Sequence, residues 1–315
     1  MASRRTRLSL EQAQRLHQRK LADASSTNPE LQLIWFNSMK LAFKEMDDVF
    51  KLTQSADGFE FLDIGCCPGG FSSYILEANP KAIGTGISLE VSQGGHEYLL
   101  EEHLRSRFEL IWADVTKYRL GPLCTNAATY TPLPFSHLSH PNGFALVLLD
   151  GHALRNTAGP SLSALHTLAD RLLISQLIIA FDVIRAGGTI VMKLNDIRNP
   201  TTKRLLYLFD ALAADVRTWK PVCIHATRPT FYIIARGIRC GPSAHSFGSV
   251  QEELQALWAR LTMGQTMDGD SLNFIVDGHT LKTTYARRLS ELTNHIHVVQ
   301  AQASEGQRKQ VAMGF

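Results

Sequence analysis

Charge is scarce in this 315-residue sequence and nearly balanced, with 19% charged side chains and a net charge of +3. So mild a balance falls short of the strongly basic surface that would by itself announce nucleic-acid binding. It permits an RNA substrate without arguing for one. Paired cysteines are also missing. Cys66, Cys67, Cys124, Cys223 and Cys240 are odd in number, and no two stand at zinc-ligand spacing. The adjacent Cys66 and Cys67 are poor disulfide partners. No metal is expected, and a reducing intracellular compartment, cytoplasmic or nuclear, is the default. Long apolar runs are absent too: none reaches the roughly 18 residues a membrane helix needs. The longest candidate, Leu172 to Ile184, is interrupted by Ser175, Gln176 and Asp182 and reads as a buried helix. No membrane partner is expected.

What the sequence does have is 44% hydrophobic residues, enough for a substantial core. Its first 20 residues carry Arg4, Arg5, Arg7, Arg15, Arg19 and Lys20 against the single acid Glu11. Ser9 and Gln12 can form a capping box that opens a helix there. This start reads as a solvated basic helix or arm over residues 1–30; it also resembles a mitochondrial transit peptide, which keeps that compartment open.

From residue 59 onward, short β-rich runs alternate with helical stretches. Strands are expected at 59–64, 81–87, 108–112, 144–149 and 189–192, with a closing pair at 216–224 and 231–235. Helices are expected at 71–78, 95–104, 162–178 and 201–214, and Ala186-Gly187-Gly188 reads as the turn before a strand. Phe144 to Leu149 is continuously apolar, the pattern of a strand covered on both faces. Strand–helix alternation of this kind predicts an α/β fold, a doubly wound and mainly parallel sheet with helices on both faces. Residues 31–240 would form this domain. Gly121 to Gly143 is a long loop rich in Pro, Thr, Ser and His, of the sort that serves as a lid. Residues 241–315 would add a helical extension, with helices at 247–263 and 281–301, as a packed element or a module for a protein partner.

The chemistry-bearing motif is Asp63-Ile64-Gly65-Cys66-Cys67-Pro68-Gly69-Gly70-Phe71, which follows an apolar strand and opens a helix. In open α/β sheets ligands bind beyond the carboxyl ends of the strands. Glycines there let the backbone approach a ligand, and Pro68 stiffens the turn. No Lys-Ser or Lys-Thr follows, so the loop is not a phosphate-binding P-loop, and its spacing is not that of the dinucleotide fingerprint.

The block from Phe61 to Ser72 resembles the cofactor motif of the FtsJ-like (RrmJ) family of S-adenosylmethionine-dependent ribose 2′-O-methyltransferases, and the resemblance covers about residues 35–237. It implies the seven-stranded class I methyltransferase sheet, a Rossmann-like fold. It implies S-adenosyl-L-methionine as cofactor, held by Asp63, Gly65, Pro68, Gly69, Gly70, Phe71, Ser88, Asp114 and Asp150. Asp114 matches the acid beside the adenine, and Ser88 stands where the family often has an acid near the ribose. The family's Lys-Asp-Lys-Glu tetrad maps onto Lys44, with Lys40 one helical turn earlier as runner-up, then Asp150 and Lys193. Thr230 occupies the glutamate position and His225 the arginine position of the last segment, which runs from Lys220-Pro221 to Phe231-Tyr232.

Methyl transfer to a hydroxyl needs alignment and removal of a proton. The resemblance implies Lys193 as the base, Lys44 as the neighbouring cation that favours the neutral amine, and Asp150 as the orienting acid. The duller readings are a solvated helix lysine at Lys44, a turn cap at Asp150, a helix cap at Asp114 and an ordinary strand residue at Thr230. RNA ribose 2′-O-methylation is the leading reading. A small-molecule O-methyltransferase on the same fold, and a non-catalytic cofactor-binding scaffold, stay open.

Overall fold

The computed structural model describes residues 28–55, 58–122, 130–138, 141–153 and 162–312. The basic arm expected over 1–30 therefore lies outside the described residues except for its last three.

The first described helix, α1 (Pro29–Phe50), begins with Pro at N1 and with the Asn28 side chain accepting from the Glu30 N–H at 2.9 Å. Both features satisfy the orphan donors of a helix start. It ends at Lys51, whose φ of 56° closes the helix in the left-handed region. The chain then runs through β1 (Glu60–Ile64), α2 (Gly70–Ala78), β2 (Ile83–Ser88), β3 (Phe108–Trp112), β4 (Phe144–Leu149), α3 (Leu162–Val183), β5 (Ile184–Leu194), α4 (Pro200–Leu212), β6 (Ala213–Trp219) and β7 (Phe231–Ile238). It closes with α5 (Phe247–Thr262), α6 (Gly278–Lys282) and α7 (Ala286–Ala312).

The seven strands lie in the order β3-β2-β1-β4-β5-β7-β6. All neighbours pair in parallel except β7, which runs antiparallel to both β5 and β6. This is the doubly wound, mostly parallel α/β sheet expected. Its order reverses between β1 and β4, which places the ligand-binding crevice there.

Strand alternation sorts the core into two layers. Leu62, Val147, Leu149, Ile190, Met192 and Ile233 join the layer under α3 and α4, whereas Phe61, Leu146, Leu148, Val191, Tyr232 and Ile234 join the layer under α1 and α2. The apolar run read as a buried helix is the second half of α3, where Ile174, Leu177, Ile178, Ile179, Ala180 and Phe181 are fully buried.

Three local expectations differ from the structure. Residues 95–104 are not a helix: the backbone is irregular until a short 3-10 stretch at Glu102–Arg107. The Leu99 N–H is bonded to the Pro68 carbonyl instead, so a tertiary partner takes the place of helical bonding. Ala186-Gly187-Gly188 lies inside β5 as a bulge opposite β4, with Gly187 at φ 78°. β6 starts earlier and stops at Trp219, because Pro221 cannot donate to a ladder.

Residues 241–312 pack into the same core as the sheet. Leu254, Leu257, Trp258 and Leu261 of α5, Leu281 of α6, and Leu292 and Ile296 of α7 belong to the layer under α3 and α4. Polar ties fasten them: Arg204, 5% exposed, donates to the Val276 carbonyl and Asn273 Oδ1, and Arg288 grips Asp210 through both carboxylate oxygens.

Candidate active site

At the carboxyl end of β1 the chain must turn sharply past β4. Gly65 has φ 84°, and a Cβ there would stand 2.5 Å from the Cα of Gly151, so any side chain would push the two strand ends apart. The Ile64 carbonyl accepts from the N–H groups of both Asp150 and Gly151 at 3.1 Å. Buried Gln176 of α3 holds Gly151 from the other side, accepting from its N–H at 3.0 Å and donating to its carbonyl at 3.2 Å.

Gly70 answers a different demand. A Cβ on it would meet the Phe36 carbonyl at 2.3 Å, so this glycine lets α1 cross α2 closely. Phe71 is buried against Phe43 and Tyr232. Gly69, at φ 112°, caps α2, and Pro68 accepts from Leu99. These four residues build the loop from behind.

An open cleft lies beyond the ends of β1 to β4. Gly65, Cys67, Ser88, Asp114 and Gly151 line it, together with His96, His152 and the apolar side chains of Ile87, Leu89, Val115 and Leu172. An apolar cleft with a few convergent polar groups at the switch point of an α/β sheet suits a small ligand. Asp114 also accepts from the Thr116 N–H and hydroxyl, so it caps a turn while facing the cleft.

Behind His152, which lines the cleft, the Lys193 ammonium sits 3.0 Å from Asp150 Oδ2 and also donates to the Asp150 carbonyl. The two side chains are 14% and 12% exposed, too enclosed for a solvated surface pair. Asp150 Oδ1 accepts from the Tyr232 hydroxyl at 2.9 Å, and burial followed by the Asp150 charge holds that phenol well above its ordinary range. Tyr232 is the register partner of Lys193 across β5 and β7, which explains why both reach the same carboxylate.

Two of the three expected catalytic residues thus meet. Lys44 does not join them: it pairs with Asp48 at 2.6 Å on the solvent face of α1. Lys40 is engaged by Glu77 and Glu101. Thr230 lies past the end of the ladder, its hydroxyl 3.4 Å from Asn195 Oδ1 and its carbonyl accepting from buried Lys220.

Histidines gather around the pair; the sequence reading placed His225 only at the family's arginine position and missed His96 and His152. His152 Nδ1 is 3.2 Å from Lys193 Nζ, His96 neighbours His152, and His225 lies 3.5 Å from the Tyr232 hydroxyl. The Lys193 charge pushes His152 well below the ordinary histidine range. Burial, with Lys193 second, lowers His96 and brings His225 down to about 3. All three are neutral imidazoles at neutral pH. His152 follows Asp150-Gly151 directly, and that adjacency was the one available signal.

Asp63 is buried on the same face of the sheet. Ser72 donates to its Oδ2 at 2.7 Å, and Oδ1 has no partner among the described residues. Burial pushes this carboxyl up from the ordinary 3.8 to about 7. The folded protein therefore holds a proton that the unfolded chain releases, and stability falls as pH rises from about 4 through about 7. A shift of that size is worth on the order of 4 kcal/mol once the group is ionised. Asp63→Asn should flatten this pH dependence, as denaturant melts at pH 5.5 and 8 would show; an unchanged profile would remove Asp63 as its source.

A family model described as FtsJ-like methyltransferase matches residues 38–238. The cap-specific mRNA (nucleoside-2′-O-)-methyltransferase 1 of Bos taurus is 25% identical over 240 residues, covering 73% of this chain and 27% of that protein. The Homo sapiens protein of the same name is 25% identical over 237 residues, with the same coverage of 73% and 27%. The chain thus spans about a quarter of the length of these curated relatives. A solved Plasmodium falciparum structure, described as a ribosomal RNA methyltransferase, superposes with a TM-score of 0.45 at 19% identity, covering 63% of this chain and 96% of that one.

Proposed function

Because the chain belongs to the FtsJ-like methyltransferase family, we propose that it methylates a ribose 2′-hydroxyl of RNA, with S-adenosylmethionine as cofactor. The observation that carries this reading is the enclosed Lys193–Asp150 pair next to His152 of the cleft wall. The cleft fits the cofactor: Gly65 and Gly151 leave bare backbone on its floor, and its apolar walls carry the polar groups of Ser88 and Asp114. Gly65, Ser88 and Asp114 would hold the cofactor, while Asp63, Pro68, Gly69, Gly70 and Phe71 shape the loop. Bound there, the cofactor supplies a sulfonium methyl group.

With one ammonium proton first released to water, Lys193 takes the proton of the acceptor hydroxyl on Nζ as the oxygen attacks. Asp150 stabilises the ammonium so formed through Oδ2 and its backbone carbonyl, and the Tyr232 hydroxyl fixes the carboxylate from Oδ1. Neutral His152 accepts from the lysine without adding a charge. Lys44 and Thr230 stand apart from this arrangement, and His152 and Tyr232 are the side chains that touch the pair.

The deciding experiment is transfer of a labelled methyl group from S-adenosylmethionine to total RNA and to a metabolite extract. The expected label is in 2′-O-methylated nucleosides released from RNA by nuclease. Label confined to small molecules would defeat the proposal. RNA binding should also weaken steeply with salt, losing about 0.7 in log K per tenfold rise in salt for each single-strand phosphate contacted. Titrations between 50 and 300 mM salt check this, and salt-independent binding would argue against phosphate recognition.

A further inference from the structure

Three aromatic side chains from three separate elements lead away from the reacting pair. His152, after β4, touches Lys193 through Nδ1 at 3.2 Å. Its ring centroid lies 6.4 Å from that of His96, in the connection after β2, and the planes are tilted by 35°. His96 in turn meets Trp35 of α1 at 5.3 Å, with the planes at 68°. None of these residues served the cofactor motif. They form one continuous path from the mouth of the cleft to the face of α1, ending at the lysine that would take the acceptor's proton.

Their placement is built rather than incidental. Gly95 makes the turn that presents His96, and a Cβ on it would lie 1.9 Å from the Leu89 carbonyl. The Glu97 N–H donates at 2.7 Å to the side chain of Gln32, which is 1% exposed and lies one helical turn before Trp35. That bond fixes the His96 connection against the very turn of α1 that carries the indole.

On the RNA reading above, we propose that Trp35, His96 and His152 form the platform on which the acceptor nucleobase stacks. The ring geometry suits this role. Trp35 and His96 form a corner, so a base stacked on one ring presents its edge to the other. The His96–His152 separation is at the wide end for ring pairs, which leaves their faces available to a third ring. Burial followed by the Lys193 charge lowers His96, and the Lys193 charge followed by burial lowers His152, so both offer π faces rather than positive charges. Single-stranded RNA is recognised by such stacking, and every base has a face to stack. The ribose of a nucleotide seated there would lie next to Lys193, which ties recognition of the base to the position of its hydroxyl.

The test uses the full chain and an RNA whose methylated position has been mapped with the wild-type protein. Trp35→Ala and His96→Ala should each raise KM for RNA about tenfold. His96→Phe, which keeps a ring, should recover most of that loss. On the same RNA made abasic at the acceptor position, the wild type should suffer a comparable loss and the alanine variants little more. Unchanged KM in both alanine variants, equal losses in His96→Phe and His96→Ala, or equal penalties on intact and abasic RNA would each overturn the platform. A wild-type protein that labels no RNA would instead defeat the parent reading, so the two failures are distinguishable.

Discussion

Lys193→Met is expected to lower the rate of methyl transfer by about 10²- to 10⁴-fold, the usual contribution of a positioned general base. Methionine keeps the length and apolar stem of the side chain but cannot take a proton. The change leaves Asp150 with the Tyr232 hydroxyl on Oδ1 and nothing on Oδ2, so a stability loss of about 1–3 kcal/mol should accompany it. Pairing it with Asp150→Asn should recover part of that stability and none of the rate. Single-turnover assays with saturating cofactor, run beside thermal melts, separate the two effects. Full transfer by Lys193→Met would show that another group removes the proton.

Trp258→Ala should destabilise the whole domain by about 3–5 kcal/mol. The indole is fully buried in α5 and sits edge-on to Tyr130, within the core layer shared with α3 and α4. Loss of its volume would leave a cavity that the sheet-backed helices cannot close. Because the layer is continuous, the melt should remain a single transition at lower temperature. A separate early transition, with the sheet unaffected, would show that residues 241–312 fold as an independent unit.

Features set by local covalent pattern could be read from the sequence. Phe144 to Leu149 is apolar at every position because both faces of β4 are covered, and that needs no tertiary knowledge to recognise. Asp63 to Phe71 could be read because the turn after an apolar strand puts Gly65 at φ 84°, a local backbone demand that favours glycine. Residues 95–104 misled because Tyr98, Leu99, Leu100 and Leu104 have helical spacing while their backbone is held by Pro68 and Gln32, partners remote in sequence. Lys44 and Lys40 lie one turn apart on one helix, and only the positions of Asp48, Glu77 and Glu101 separate their surroundings. His96 and His152 stand 56 residues apart, and no spacing rule connects two lone histidines on different loops.

The side-chain amide of Gln176 binds both the N–H and the carbonyl of Gly151, doing for one residue what a neighbouring strand does for many. Gly151 lies in a loop, yet its amide proton is shared between the Gln176 side chain and the Ile64 carbonyl, and both bonds must open before it reaches water. Its deuterium uptake should therefore follow the slow opening of α3 rather than the fast motion usual for loops. Gln176→Ala would leave that proton on the Ile64 carbonyl alone and loosen the restraint on the carboxylate one residue earlier. Exchange at Gly151 thus offers a spectator's measure of how firmly the reacting pair is held.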